Sequence, residues 1–393
     1  MAEKNIRLSA PVKVASYAGV RVCSEYSCGG ETGTVWFETG ERHAEYLTAD
    51  RLDAFVAVFL PRAMREGFDI LCEAPVSRSL IYQIGHYLIP TLSRNIGEYS
   101  NIRLIASPAD DLTQGRGAVV TGWTGGVDSM FTVMNTLDCE EKSRRLTHLL
   151  VANIGTLESG DNEKMLRMLV ERAEHGAARE FGLETVWVNS NLDAVLPEPY
   201  LAVSDFRLSG AALALQKLFS VFYVSSSYEF ASFSFDPNND AYCEMFLLPM
   251  LSTRATQLIS SGGAFTRIEK LSRISDYPPA GRYLHPCIYA TELQNCGRCG
   301  KCVRTETGLY ALGTLERFSG VFDLSDFEKH REEHIAKTLA GRKNRHCSEV
   351  CDLLRERGLV TPRAERLSRI IESAQKVADR NRDELTEKIG GAT

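Results

Sequence analysis

Nowhere in the 393 residues does an apolar run approach the roughly 20 residues that a membrane-spanning helix needs, which argues against a helical membrane protein. Residues 1–11 are polar and lack the apolar core of a secretory signal, so a cytoplasmic location is expected. Positive charge is also in short supply. The 45 Lys and Arg are outnumbered by 51 Asp and Glu, for a formal net charge of −6. That balance argues against a protein that coats nucleic acid non-specifically, although a local basic groove stays open. There is no internal repeat and no low-complexity tract. What remains, 44% hydrophobic and 24% charged residues, is the composition of a globular chain, long enough for two or three domains.

The most informative stretch is Ala118-Val119-Val120-Thr121-Gly122-Trp123-Thr124-Gly125-Gly126-Val127-Asp128-Ser129. A short apolar run reads as a strand, a glycine turn follows, and an apolar-periodic segment reads as a helix. Without Cβ atoms at 125 and 126, backbone N–H groups can face an anion, and the helix start at Asp128 and Ser129 favours negative charge. The turn has no lysine, so it is not a Walker-type phosphate loop. Thr124-Gly125-Gly126-Val127-Asp128-Ser129 resembles the Ser-Gly-Gly-x-Asp-Ser loop of the PP-loop ATP pyrophosphatases, with Thr124 keeping the hydroxyl. The resemblance implies that the loop grips the pyrophosphate end of ATP while AMP is passed to a substrate.

The pattern along the chain predicts an α/β protein, organised as an N-terminal α+β region (1–112), a doubly wound parallel-sheet domain (113–280), a four-cysteine module (281–310) and a helical C-terminal region (311–393). In the first region, strands are expected at 12–17, 20–23, 34–38, 68–72 and 102–105. A helix is expected at 54–65 with a kink at Pro61, and another at 79–99 broken near Pro90. This region shows no catalytic constellation; a substrate-shaping or oligomerisation role is the expectation, and residues 107–111 read as a linker. The middle region alternates strands (148–154, 185–188, 221–225, 256–260) with helices (163–181, 211–219, 267–274), the signature of a parallel sheet covered on both faces. Ligands bind such sheets where strand order reverses. In the family resembled, that point lies beside the first strand, which puts Gly122 to Ser129 on one side and Asn153, Ile154 and Gly155 on the other, the latter against adenine. Helical, charge-rich sequence runs from 301 to the end, with Pro362 between two helices.

Eleven cysteines are many for an intracellular chain. Four of them, Cys287, Cys296, Cys299 and Cys302, form a C-x8-C-x2-C-x2-C array; the other seven are scattered and read as small buried hydrophobes. Such a cluster points to metal rather than to disulfides. Tetrahedral all-sulfur coordination suits structural Zn2+, and an iron–sulfur cluster is the rival.

A PP-loop followed by this array is similar to the 7-cyano-7-deazaguanine synthase family of the queuosine pathway, over roughly residues 117–310. The resemblance implies ATP, Mg2+ and Zn2+ as cofactors and a 7-carboxy-7-deazaguanine-like carboxylate as substrate. A carboxylate oxygen would attack the α-phosphorus of ATP, pyrophosphate would leave, and an amine or ammonia would then form an amide, or a nitrile after dehydration. Gly125, Gly126, Ser129 and Mg2+ would stabilise the leaving group. Asp128 either holds the Mg2+ or caps the helix, Lys270 neutralises phosphate, and Arg304 matches the family's pattern after the last cysteine. The family's substrate loop after the fourth strand has no counterpart here. The enlarged chain fits the synthase-like branch found in anti-phage defence operons, some members of which join a deazaguanine to a protein acceptor. A second copy of the chain and an operon-encoded protein are the candidate partners.

Rival readings are tRNA base thiolation, which would need a persulfide cysteine or an iron–sulfur cluster, and a non-catalytic ATP-binding subunit. Asp205 and Arg207 read as an ordinary ion pair at a helix start. His330-Arg331-Glu332-Glu333-His334 fits the H-x-x-E-H pattern of inverted zinc proteases but reads as a charged, solvated helix face.

Overall fold

In the computed structural model, which describes residues 4–112, 116–155, 162–287 and 295–390, the chain is an α/β protein built around a mixed, largely parallel sheet. It divides into two compact units: residues 1–124 with 131–265, and residues 125–130 with 266–393.

Every strand among the described residues lies in the first unit. Eight come from the N-terminal region: β1 (Asn5–Leu8), β2 (Val12–Ala15), β3 (Val20–Cys28), β4 (Glu31–Thr39), β5 (Asp69–Cys72), β6 (Val76–Ser77), β7 (Leu104–Ile105) and β8 (Pro108–Ala109). Five follow in the middle region: β9 (Ala118–Gly122), β10 (His148–Ala152), β11 (Glu184–Ser190), β12 (Phe219–Ser225) and β13 (Gln257–Ser261). Eleven of them make one sheet in the order β13-β12-β9-β10-β11-β4-β3-β1-β5-β7, with β2 on β3; β6 and β8 pair separately. The strands β9 to β13 are mutually parallel, and β9, the first of them, sits between β10 and β12. Strand order therefore reverses at β9, from whose carboxyl end the glycine loop departs. β11 then pairs antiparallel with β4, so the N-terminal strands continue the same sheet. Residues 107–111, read as a linker, include β8.

Burial follows from this arrangement. β9 and β12 are apolar almost throughout because both their faces are covered, whereas β3 alternates because one face is wetter. The core is dominated by Phe37, Phe55, Phe59, Phe206, Phe219 and Phe222. Helix Asp53–Glu66 packs on helix Ser204–Ala214 at Gly210, where a Cβ would lie 2.3 Å from Val58 Cγ1 and 3.0 Å from the Ala54 carbonyl. The helix passes through Pro61 without interruption. The segment expected to break near Pro90 stays helical from Arg78 to Asn95 but changes to π-helical turns over Ile84–Leu88, directly before Pro90, which has no N–H to give to the α-helical ladder.

The second unit is helical: Arg267–Ser275, Gly300–Leu312, Leu324–Ala340, Arg345–Glu356 and Pro362–Gly390, with a small core of Ala311, Ile335, Leu339, Val350, Cys351, Leu354 and Ala364. Its helix starts are chemically marked. Thr266 and Glu269 form a reciprocal capping box, and Asp323 and Asn344 accept from the first-turn N–H groups of their helices. No helix among the described residues is long and apolar enough to cross a membrane.

The H-x-x-E-H segment departs from a solvated face. His334 is buried with Ile335 and Ala336, its ring edge-on to Phe327, because that flank of Leu324–Ala340 packs inward. Replacing Gly210 by valine should lower unfolding free energy by about 1–3 kcal/mol, read from urea denaturation, since two helix backbones cannot part without opening the core.

Candidate functional site

Two side-chain clusters stand out in the second unit. The first surrounds the glycine loop. Gly125 is in the left-handed region (φ 72°), and its carbonyl accepts from His285 N at 2.6 Å; an added Cβ would meet His285 Cβ and the Tyr283 carbonyl at 3.2 Å each. Only glycine suits that conformation and that space. Gly126 follows, and its carbonyl accepts from Ser129 Oγ at 3.1 Å; Val127 opens a helix that runs to Thr136, with Asp128 in its first turn. Thr124 is exposed at the mouth of the turn.

Asp128 is the centre of a basic group. Arg267 Nη1 donates to its Oδ2 at 2.5 Å, and Lys270 Nζ lies 3.5 Å from its Oδ1. Lys270 is fully buried, an unusual place for an ammonium without anionic company. Arg304 and Lys301 lie within electrostatic reach of the same carboxylate and of the Arg267 guanidinium. Burial, followed by the Arg267 charge, pulls Arg304 below the usual guanidinium range. Burial, then Arg267 and Arg304, lower His346 to about 3, so its ring is neutral near pH 7. Glu349 is a second carboxylate beside Arg267; it accepts from Ile268 N at 2.9 Å, at the start of the same helix. Two cations thus pair with Asp128 and two more add like charge nearby, so that even with Glu349 counted positive charge is in excess, which suits a ligand carrying several negative charges.

Lys270 and Arg304, singled out from the sequence, are both in this group. Arg267, Lys301 and His346 were not, yet a signal existed for two of them. Arg267 and Lys270 stand three apart on one helix, and so do Lys301 and Arg304 on another, a spacing that places each pair on one face. His346 had none.

In the first unit, Asn153, Ile154 and Gly155 follow β10. Asn153 N donates to Val188 O, its carbonyl accepts from Ser190 Oγ, and the Ile154 carbonyl accepts from Arg207 Nη1 at 3.2 Å. Gly155 (φ 91°) leaves room for that guanidinium, which a Cβ would meet at 2.2 Å. Arg207 also donates to the Leu196 and Glu198 carbonyls, while Asp205 N donates to Asp240 Oδ2. The expected Asp205–Arg207 pair is therefore replaced by other partners; residues two apart on a helix do not face each other.

The second cluster is the cysteine array. The ligand atoms of Cys287, Cys296, Cys299 and Cys302 all lie within 4.8 Å of one another, with Cys296 and Cys302 sulfurs 3.9 Å apart. Zn–S bonds of about 2.3 Å in a tetrahedron require sulfurs about 3.8 Å apart, so the set fits a Zn2+ ion. The turn is built for thiolates. Cys296 Sγ accepts from the N–H groups of Arg298 and Cys299, Cys299 Sγ accepts from Cys302 N, and Gly297 takes φ 64°. Hydrogen bonding to Cys299, then burial, push the Cys302 thiol far up, an opposition to charging that a divalent cation would remove. Asn295, unnoticed in the sequence, clamps both arms: its Oδ1 accepts from Cys287 N, and its Nδ2 donates to the Leu284 and Val321 carbonyls. Residues 288–294 of the array lie outside the described residues. Among the described residues this is the one such group of potential metal ligands; the histidines of the H-x-x-E-H segment are not part of it. Of the scattered cysteines, Cys28, Cys243 and Cys351 are buried and the other four half-buried.

The comparisons returned nothing. Neither protein-family models, nor curated proteins, nor solved structures gave a match to this chain.

Two outcomes follow. Metal analysis of the purified chain should find one zinc and no iron; Cys296→Ser should abolish it, and a chelator should lower the midpoint of thermal unfolding. His346 binds its proton less readily folded (about 3) than unfolded (6.5), so the unfolded state takes up the proton first. Unfolding free energy should fall as pH drops from 6.5 towards 3, and less steeply in His346→Gln, measured by urea titration at each pH.

Proposed function

We propose that the chain is an adenylate-forming ligase of the PP-loop type, using ATP to activate a carboxylate, with release of pyrophosphate, for attack by an amine, ammonia or a protein acceptor. One observation carries this: the lysine-free glycine turn and the convergent cations Arg267, Lys270, Lys301 and Arg304 belong to one compact unit, around Asp128. A glycine turn alone accommodates many anions. A turn whose Asp128 is paired with two cations, with two more in electrostatic reach, suits the several charges of a phosphate tail.

The roles of the residues follow from charge. As a carboxylate oxygen of the substrate bonds to the α-phosphorus, the bond to the β-phosphate bridging oxygen breaks and its electron pair leaves with pyrophosphate. Negative charge therefore grows on the leaving group. Lys270 and Arg267 stand nearest the carboxylate that orders the loop, and their charge favours that departure; Arg304 and Lys301 add to the field. The backbone of the Gly125–Gly126 turn would supply the short-range donors, and Ser129, whose hydroxyl donates to the Gly126 carbonyl, would rotate to join them. A Mg2+ ion would add charge neutralisation on the phosphates, with Asp128 as the residue to hold it. Zn2+ in the cysteine cluster has a structural role, since four sulfurs leave no open position. The resemblance to 7-cyano-7-deazaguanine synthases supports 7-carboxy-7-deazaguanine as the carboxylate to try first.

Incubation with ATP, Mg2+ and 7-carboxy-7-deazaguanine, with ammonium or candidate protein acceptors in separate arms, should give AMP, pyrophosphate and a mass-shifted product. Lys270→Ala should lower kcat by about 100-fold or more, the loss typical of one transition-state donor. ADP with orthophosphate as products, or unchanged turnover in that variant, would refute the assignment. Iron in place of zinc, with sulfur transfer to tRNA, would indicate thiolation instead.

A further inference from the structure

The helix Arg267–Ser275 carries the two cations paired with Asp128, so the way its first turn is held bears on where they point. The four N–H groups at a helix start have no partner within the helix. Here all four are accounted for. Thr266 N donates to Glu269 Oε2 at 2.8 Å and Glu269 N to Thr266 Oγ1 at 3.4 Å, the two halves of the capping box. Ile268 N donates to Glu349 Oε2 at 2.9 Å, and the Arg267 backbone N–H also favours the charged form of that carboxylate. Glu349 stands 81 positions beyond Ile268, in the helix Arg345–Glu356. One helix start is thus closed by a side chain of another helix.

The charge of Glu349 has the wrong sign for its surroundings. Arg267, Lys270, Lys301 and Arg304 make a positive field suited to a phosphate tail, and a carboxylate beside Arg267 subtracts from it. Burial pushes Glu349 above the usual carboxylate range, against the opposing pull of the Ile268 N–H, Arg345 and Arg267. Electrostatics gives no account of a carboxylate at this place. Geometry does.

The packing next to it is close but apolar. A Cβ on Gly308, in the helix Gly300–Leu312, would lie 2.8 Å from Leu271 Cδ2, 3.4 Å from Ile268 Cδ1 and 3.6 Å from Val350 Cγ2. Three helices therefore meet at one glycine, beside the Glu349 contact. Apolar contact is non-directional, so it sets how near Arg267–Ser275 lies to its neighbours and leaves rotation about its axis weakly fixed. A hydrogen bond to Glu349 is directional and fixes that rotation. Arg267 is the first helical residue and Lys270 the fourth, so any rotation carries both side chains past Asp128 together.

We propose that Glu349 is a positioning residue of the anion site: through the first turn of Arg267–Ser275 it holds Arg267 and Lys270 in place against Asp128. This rests on the phosphate-binding role proposed above. Glu349 acts through its hydrogen bond and not through its charge, which works against the site.

The test separates bond from charge. Isothermal titration with inorganic pyrophosphate is run on the full, zinc-loaded chain and on three variants, well below the thermal midpoint of each. Wild type should bind one pyrophosphate per chain. Glu349→Gln keeps an acceptor oxygen at the same reach and removes the charge; it should bind as tightly as wild type or more tightly. Glu349→Asp keeps the charge one methylene short, and Glu349→Ala has neither. Both should bind at least about 5-fold more weakly, the scale of losing a contact that orients a ligand-holding group. A role in stability alone would lower the thermal midpoint and leave the affinity of the folded chain unchanged. Wild-type affinity in both the Asp and Ala variants, tighter binding by Glu349→Ala, or a loss in Glu349→Gln equal to that in Glu349→Ala would overturn the positioning role alone. No pyrophosphate binding by wild type would overturn the proposed function and this inference with it.

Discussion

The second unit depends on one ionic contact, the Asp128 carboxylate held between Arg267 and Lys270. Asp128 and Arg267 are 139 residues apart in the chain, and their pairing ties the short segment 125–130 to the C-terminal helices. Burying an ammonium and a guanidinium around one carboxylate costs desolvation that a single counter-charge rarely returns. Arg304 and Lys301 add like-charge repulsion at the same point. A group of this kind is poor at stabilising a fold by itself. It is well suited to receiving an anion whose charge relieves the repulsion, and that asymmetry is the physical content of the functional reading.

The cysteine turn is mechanically linked to that group. Cys299 caps the helix Gly300–Leu312, Cys302 lies in its first turn, and the same helix carries Lys301 and Arg304. A metal that closes the four sulfurs would therefore set the start of the helix that carries two of the four cations. Asn295 supports the arrangement from behind, bonding to backbone on both arms. A metal held there would be structural in a specific sense: it would order the charges rather than react.

In the first unit, the seam between parallel and antiparallel strands has its own polar chain, from Asn153 through Asn189 and Glu38 to Arg21. Each member satisfies its neighbour, so a buried carboxylate is tolerated without a buried counter-ion in direct bidentate contact. Bulky aromatic residues fill the core on the other side, and Gly210 allows two helix backbones to approach there.

Much of this was legible beforehand, because it is written in local signals. The apolar runs of β9 to β13, the glycine turn at 125–126 and the cysteine spacing each reflect chemistry among residues close in sequence. The helix start at Thr266 carried its capping box in plain view. What misled was local too: Pro90 suggested a break where the helix instead shifts to π-helical turns and continues, and the charges of His330 to His334 hid a buried flank. Which cations meet Asp128, that β11 borders β4, and that Glu38 and Asn189 bond across that seam were decided only by tertiary structure. Contacts between distant segments leave no period or spacing in the chain, since they depend on how helices and strands pack and not on which residues are neighbours.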